Sequence, residues 1–386
     1  MKTTARLLLP ACCAITLMLG FEAGALQLAL LSATTELGLS GAGMGLPVTV
    51  QFLSLSFMPL LFGPVADRTG KKKIVLAFMV VFIAGCLITW LCATTAQFLI
   101  GLFIVGAGFS LCESMTTAAL SDAFKEKGEK NINIAQTFFC IGAVGSPLLM
   151  QALIDGFSAS WRVGFLIIAI TMIAIIPVLS FAKFTPAVAV TKKEAEKKSK
   201  HPFLLFGLIL CMFIYAGSES GIAFFADTVF TIGLDRPVWG AFAISLFWGF
   251  MGIGRFFFGR MKRIPPNATA VSLFAGTALI LVMMVCRHDV AMLVLYAAAG
   301  LAMACVWPGI VNATVAIDLS ASGRIMSYLT LGGGLGCSLV PLAIGALINT
   351  GGIPVAFLVL ALVTVAAAVY MWVNRHAIQS FRLDNR

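Results

Sequence analysis

Charge is scarce in this sequence. Of 386 residues only 11% are charged and only 16 are acidic, against 60% hydrophobic and a mean hydropathy of +1.02. Soluble domains carry about 25% charged residues, so a water-soluble enzyme is excluded. Histidine is scarcer still: His201, His288 and His376 stand at loop or terminal positions, with no metal-ligand or relay spacing. There is no phosphate loop and no nucleophile constellation, so nothing calls for catalysis, a cofactor or a metal. The ten cysteines, among them Cys12, Cys13 and Cys86, lack paired spacing and lie in or beside apolar runs. That is the placing of small membrane-core residues rather than of disulfides or ligands. A cleaved leader is not indicated, because the apolar run after Lys2 and Arg6 continues to about residue 31 and is long enough to span.

Long apolar runs are what the chain has in abundance. They fall at roughly 7–32, 43–66, 73–94, 96–120, 131–154 and 161–183, and, after a polar stretch, at 203–230, 237–258, 268–286, 289–316, 324–348 and 352–374. Twelve crossings of about 20 residues use up nearly the whole length. The expectation is an all-α membrane protein: a six-helix bundle over 1–183, a cytoplasmic linker over 184–202, and a second bundle over 203–386 ending in a short cytoplasmic tail. With the N-terminus inside, all but Arg162, Arg236 and Arg287 of the 26 Lys and Arg fall on the cytoplasmic side. This asymmetry predicts a cell (inner) membrane protein with both termini cytoplasmic. It accounts for the net charge of +10 with the lipid bilayer as the partner and no nucleic acid. The run at 192–200, KKEAEKKSK, reads as solvated linker, with adhesion to anionic headgroups as a second reading.

Features recur at an offset near half the chain. Gly20-Phe21-Glu22-Ala23-Gly24 in the first run and Gly217-Ser218-Glu219-Ser220-Gly221 in the seventh both read G-x-E-x-G, 197 residues apart. Arg68, Lys71 and Lys72 find an echo in Arg260 and Arg263. The Gly-rich segments 142–147 and 332–341 each end in Pro and are each followed by Ala-Leu-Ile. The shared order and polarity describe two pseudo-symmetric six-helix bundles, an arrangement that resembles the halves of the major facilitator superfamily. Gly142, Gly145, Gly333 and Gly336 are read as close-packing positions, with the fifth and eleventh runs also reserved for gating.

Residues 63–73, GPVADRTGKKK, resemble that superfamily's signature loop, G-x-x-x-D-R-x-G-R/K-R/K. Gly63, Asp67, Arg68, Gly70 and Lys71 carry the match. Asp67 sits where it can meet a helix terminus or a cation, and Gly70 permits a sharp turn. With Arg255 and Arg260 of the second half these residues form the expected cytoplasmic gate. Arg255 can alternatively snorkel to the headgroups.

Most acids lie in loops, but Glu22, Glu113 and Glu219 stand inside apolar runs, with Asp155 and Asp227 nearer the ends. A mid-membrane acid costs about 2.5–3.5 kcal/mol on insertion scales, so each needs a cavity, a partner or a proton. Glu22, Glu113 and Glu219 are therefore the expected proton-coupling residues. Plainer alternatives are an arginine partner for Glu22 and local satisfaction of Glu113 by Thr116 and Thr117. Gln27, Gln136 and Asn312, with Gln51 and Gln151, are candidate substrate-binding groups. Tyr215, Trp248 and Trp307 are candidate stacking surfaces, with core or lipid packing as the alternative.

Shorter stretches resemble the fucose, galactose and glucose proton symporter branch. Tyr215-Ala-Gly-Ser-Glu219-Ser-Gly-Ile is similar to its Y-x-G-x-E-x-G-I, the Phe247-Trp248 to Gly254-Arg255 stretch to its F-W-x-G-x-x-x-G-R, and Asn133-Ile-Ala-Gln136-Thr-Phe to its N-x-A-Q-x-F. The resemblance implies that Glu113 matches an acid needed for proton coupling. The chain departs from the branch at Gln27, where the branch has Asp, and after Glu113, where Ser-Met-Thr-Thr replaces Asn-Pro. The leading expectation is a monomeric secondary active transporter moving a small, sugar-like solute by alternating access in symport with protons. The alternative is a proton-coupled exporter of drugs or metabolites, since Gly145-Ser146-Pro147 partly matches the antiporter motif G-x-x-x-G-P. A membrane-embedded sensor without transport is third.

Overall fold

The computed structural model describes residues 7–124, 128–184, 201–258, 261, 264–317 and 322–384. Runs this apolar on all sides satisfy their backbone polar groups in lipid only as helices, and the described residues are helical almost throughout. The helices are α1 Leu8–Glu36, α2 Leu46–Thr69, α3 Lys71–Leu91, α4 Thr95–Phe124, α5 Gly128–Phe157 and α6 Val163–Phe181. They are followed by α7 Pro202–Phe224, α8 Trp239–Phe258, α9 Pro266–Val285, α10 Asp289–Met303, α11 Val306–Ile317, α12 Ser322–Val373 and α13 Arg375–Asp384. Among the described residues ten helical stretches are long and apolar enough to cross a membrane, and the chain is a multi-pass membrane protein. The stretch Tyr328–Val373 exceeds twice the length a crossing needs. Within it Gly352, at φ 76° and ψ 177°, breaks the helical path.

Two runs read as continuous are interrupted. The run 289–316 divides into α10 and α11. Pro308 offers no N–H to the Ala304 carbonyl and its ring crowds it. The run 203–230 ends as α-helix at Phe224, continues through Ala226–Thr228, and winds into a π-turn at Val229–Gly233. Residues 185–200 of the expected linker lie outside the described residues.

The chain separates into two units. One takes the chain up to Leu39 together with Leu46–Ala189; the other takes Ser40–Gly45 and Val190–Arg386. In the first, α1 packs on α5, α3 on α4 and α6, and α2 on α4; in the second, α12 packs on α7 and α9, and α8 on α10. The α1–α5 crossing is made backbone to backbone. A Cβ at Gly20 would lie 2.0 Å from the Phe139 carbonyl oxygen, and one at Gly142 would lie 2.1 Å from that of Leu17. In the second unit a Cβ at Gly217 would lie 2.9 Å from the Gly336 carbonyl oxygen, and Gly24 and Gly221 face Pro147 and Ile344 in the same way. Both crossings keep an offset of 197. This corrects the pairing of Pro147 with Pro341, which is three residues out of the packed register. Three residues are close to one helical turn, so the sequence match stayed on the right face.

Hydroxyls inside the helices are spent locally, as Thr16 to the Cys12 carbonyl at 2.8 Å and Thr364 to that of Leu360 at 2.7 Å. Large apolar side chains such as Phe157, Phe181 and Phe203 point outward and are largely exposed, a surface suited to lipid. At one end of the first unit Arg162 donates to both carboxylate oxygens of Glu36 at 2.9 and 3.0 Å, to the Cys92 carbonyl, and stacks on Trp161. This fixes one of the three cations that the charge asymmetry left on the far side.

Candidate functional site

In the first unit α1 and α2 bring together an acid and an amide. Glu22 is fully buried, and Gln51 Nε2 donates to both its carboxylate oxygens at 3.0 and 3.1 Å. The partner is therefore an uncharged amide and not the arginine that the sequence allowed. Gln51 is itself buried, and its Oε1 has no hydrogen-bond partner. Gly106 explains how α4 fits behind the pair: a Cβ there would lie 2.2 Å from the Gln51 carbonyl oxygen, so only glycine permits the approach. Glu113, on α4, is half-buried. Thr116 gives its hydroxyl to the backbone carbonyls of Cys112 and Glu113 at 2.7 and 3.0 Å, so that hydroxyl does not serve the Glu113 carboxyl. Gln27 is buried and Gln136 half-buried. Gln151 donates to Asp155 one turn on at 2.9 Å, at an exposed position.

In the second unit α7 and α8 bring together Glu219 and Arg255, with Nη2 3.5 Å from Oε1. Arg255 is thus turned to an acid of its own unit instead of snorkelling outward. Tyr215, one turn before Glu219, is fully buried, with its hydroxyl beside the Glu219–Arg255 pair. Trp248 is buried edge-on to Phe247 with ring centroids 5.8 Å apart. Trp307 is partly exposed and lies over Gly333, while Asn312 is half-buried.

At the basic turn, Gly70 has φ 95° and ψ 132°, a conformation that favours glycine and starts α3 sharply after α2. Lys71 pairs with Asp122 at the end of α4. Lys72 donates to the Ser180 and Ala182 carbonyls at 2.6 and 2.8 Å, placing a cation on the carbonyl end of α6, where the helix dipole favours it. The surroundings of Gly63, the side chains of Asp67 and Arg68, and the whole of Arg260 lie outside the described residues. Asp122, the carbonyl contacts of Lys72 and the Glu36–Arg162 pair carried no local sequence signal, since each joins positions 51 to 126 residues apart.

The comparisons with known proteins agree with this helical frame. The Major Facilitator Superfamily profile matches residues 12–288, most of the chain, and the chain belongs to that family. Among curated proteins it is similar to the chloramphenicol resistance protein CraA of Acinetobacter baumannii, 28% identical over 44% of this chain and 40% of that protein. It is also similar to the multidrug resistance protein MdtL of Escherichia coli, 24% identical over 45% and 46%. The matched stretch spans less than half the length of these relatives. Among solved structures a peptide transporter, POT, superposes with a TM-score of 0.80 at 14% identity over 97% of this chain and 95% of that one. The E. coli fucose:proton symporter superposes with a TM-score of 0.66 at 17% identity over 94% and 97%. Those two likenesses speak for the fold alone.

Proposed function

We propose that this protein is a proton-coupled secondary transporter that carries a small molecule across a bacterial inner membrane by alternating access. It has twelve crossings in two six-helix halves, 1–183 and 203–386, joined by a linker over 184–202, and both termini face the cytoplasm. The observation that carries this reading is the Glu22–Gln51 pair. An ionised carboxylate at a fully buried site costs several kcal/mol unless an opposite charge offsets it, and an amide brings no charge. A bound proton removes that cost, and when the site opens to water the proton leaves. Glu22 is thus the proton carrier, Gln51 holds its orientation, and Glu113 and Glu219 tune the same cycle. Gln27 and Gln136 of the first unit and Asn312, Tyr215, Trp248 and Trp307 of the second are the groups assigned to the solute in this reading, and Gly63, Asp67, Arg68, Gly70 and Lys71 of the one and Arg255 and Arg260 of the other are those assigned to the cytoplasmic gate.

Two cargo readings rest on different observations. Export of drugs or metabolites is supported by the names of CraA and MdtL and by the partial antiporter motif. Uptake of a sugar-like solute is supported by the fucose-branch segments in α5, α7 and α8. The test uses the whole chain in liposomes with an imposed proton gradient and two labelled probes, fucose and chloramphenicol. Fucose accumulation down the gradient supports uptake, and chloramphenicol movement against it supports export. If neither probe responds to the gradient and Glu22→Gln changes no flux, the proton-carrier reading fails.

A further inference from the structure

The second unit holds a buried acid that the transport reading leaves idle. Asp227 lies past the end of α7, in the irregular stretch between that helix and the π-turn Val229–Gly233, and is only 7% exposed. A helix of the 23 residues of α7 rises about 34 Å, more than the roughly 30 Å of a hydrocarbon core. This places Asp227 at headgroup depth, at the end of α7 away from residue 202. Its hydrogen bond is a long one, from Thr231 Oγ1 to Oδ1 at 3.4 Å. Gly240, at the start of α8, comes so close that a Cβ there would lie 2.2 Å from Oδ1. From α10, the Tyr296 ring lies tilted against that of Phe230, three residues past Asp227, with centroids 6.0 Å apart. Its hydroxyl is fully buried and has no hydrogen-bond partner.

The charged groups on the surrounding elements are engaged elsewhere. Arg236, beyond the π-turn, pairs with Asp289 of α10 at 2.9 Å, and His288 lies 3.6 Å from that same aspartate. On α8 and α7, Arg255 and Glu219 face each other. Asp235 occupies an exposed turn at φ 56°. Among the described residues no cation is within ion-pair distance of Asp227.

We propose that Asp227, with the Tyr296 and Thr231 hydroxyls, is a second proton-binding site of this protein, open to the solution on the membrane face away from residue 202. Protonated, the carboxyl is neutral and suits its apolar walls. Ionised, it can accept from Tyr296 and Thr231 and face the positive end of the α8 dipole. Burial pushes the Asp227 carboxyl up to about 7, so the proton is held below that pH and released above it. The site does not depend on the Glu22 reading.

The test is infrared difference spectroscopy on the full chain in liposomes between about pH 3 and pH 9, a span that covers the ordinary carboxylate and histidine ranges. The parent should lose a protonated-carboxyl band on alkalinisation with a midpoint near 7. Asp227→Asn should lack that component, while Glu22→Gln keeps it. Asparagine keeps the size of the side chain and the oxygen that accepts from Thr231, so the variant is expected to fold. Tyr296→Phe, which leaves the acid in place, should raise the midpoint by removing a donor to the ionised form. The proposal is overturned if Asp227→Asn shows the parent's bands, if the midpoint falls near the ordinary carboxylate value of about 4, or if Tyr296→Phe leaves it unmoved.

Discussion

Gly142 and Gly145 lie three residues apart on α5 and should respond oppositely to one added methyl group. At Gly142 the Cβ would come within 2.1 Å of the Leu17 carbonyl oxygen and 2.6 Å of the Phe21 nitrogen; at Gly145 it would meet nothing within 4 Å. An ordinary C···O contact is about 3.3 Å, so α1 and α5 would have to part by roughly 1 Å to admit the methyl group of Gly142→Ala. Overpacking of this kind costs about 1–3 kcal/mol, and backbone, unlike a side chain, cannot swing aside. Alanine is about 1 kcal/mol better than glycine within a helix, a gain that Gly145→Ala collects unopposed. The two variants should therefore differ by about 1–3 kcal/mol, in the order Gly145→Ala, parent, Gly142→Ala. Denaturant unfolding of the purified full chain in one detergent measures this. An unfolding midpoint for Gly142→Ala equal to or above that of Gly145→Ala would refute the α1–α5 crossing. In the second unit Gly336→Ala, whose methyl would sit 2.0 Å from the Phe213 carbonyl oxygen, should behave as Gly142→Ala does. Gly333→Ala meets side chains at 3.3 Å and should be milder.

Gly70→Ala meets open space but must hold φ 95°, which costs about 1–3 kcal/mol. Gly70→Asn should recover little of that loss in the same unfolding assay, because at ψ 132° the backbone lies outside the left-handed region that asparagine tolerates. Arg255→Gln strips Glu219 of its cation and should cost about 1–2 kcal/mol, an estimate lowered because Arg255 is about one-third exposed. The double variant with Glu219→Gln should be less unstable than the two single losses added together, and strict additivity would deny the pair. Gln51→Ala should weaken the gradient-driven step in liposomes while leaving solute exchange measurable, and unchanged coupling would remove Gln51 from the proton site.

Periodicity and charge made much of the frame legible. The membrane class, the run boundaries to within several residues and the G-x-E-x-G repeat all follow from where polar residues can lie in an apolar chain. The break between α10 and α11 was less visible, although Pro308 was its signal, since membrane helices often carry proline unbroken. The partners of the acids were not legible. Gln51 meets Glu22 across 29 positions and Arg255 meets Glu219 across 36, and each contact depends on helix rotation, which uniformly apolar runs leave undefined. Lys72 read as one of three topogenic lysines, yet it reaches the open carbonyls of α6. That use follows from tertiary geometry and has no local pattern.

The two repeat-related glutamates show how a shared frame yields different chemistry. In the first unit Gly106 of α4 admits the backbone of Gln51, whose side chain serves Glu22; in the second, Gly300 of α10 admits the backbone of Phe247 in the same way. The position that supplies an amide in one unit thus supplies a phenyl ring in the other, and Glu219 draws its partner from Arg255, eight residues further along α8. Neutralising each acid should then have unequal effects. Glu22→Gln resembles the protonated acid, and the unpartnered Gln51 Oε1 can turn to accept from the new amide, so stability should hold or rise. Glu219→Gln leaves Arg255 without its carboxylate and should lose about 1–2 kcal/mol, discounted for exposure as before. Unfolding midpoints of the two variants decide this. If Glu22→Gln is the more damaging, then Glu22 needs its charge where it sits, and the proton-carrying role falls to another acid.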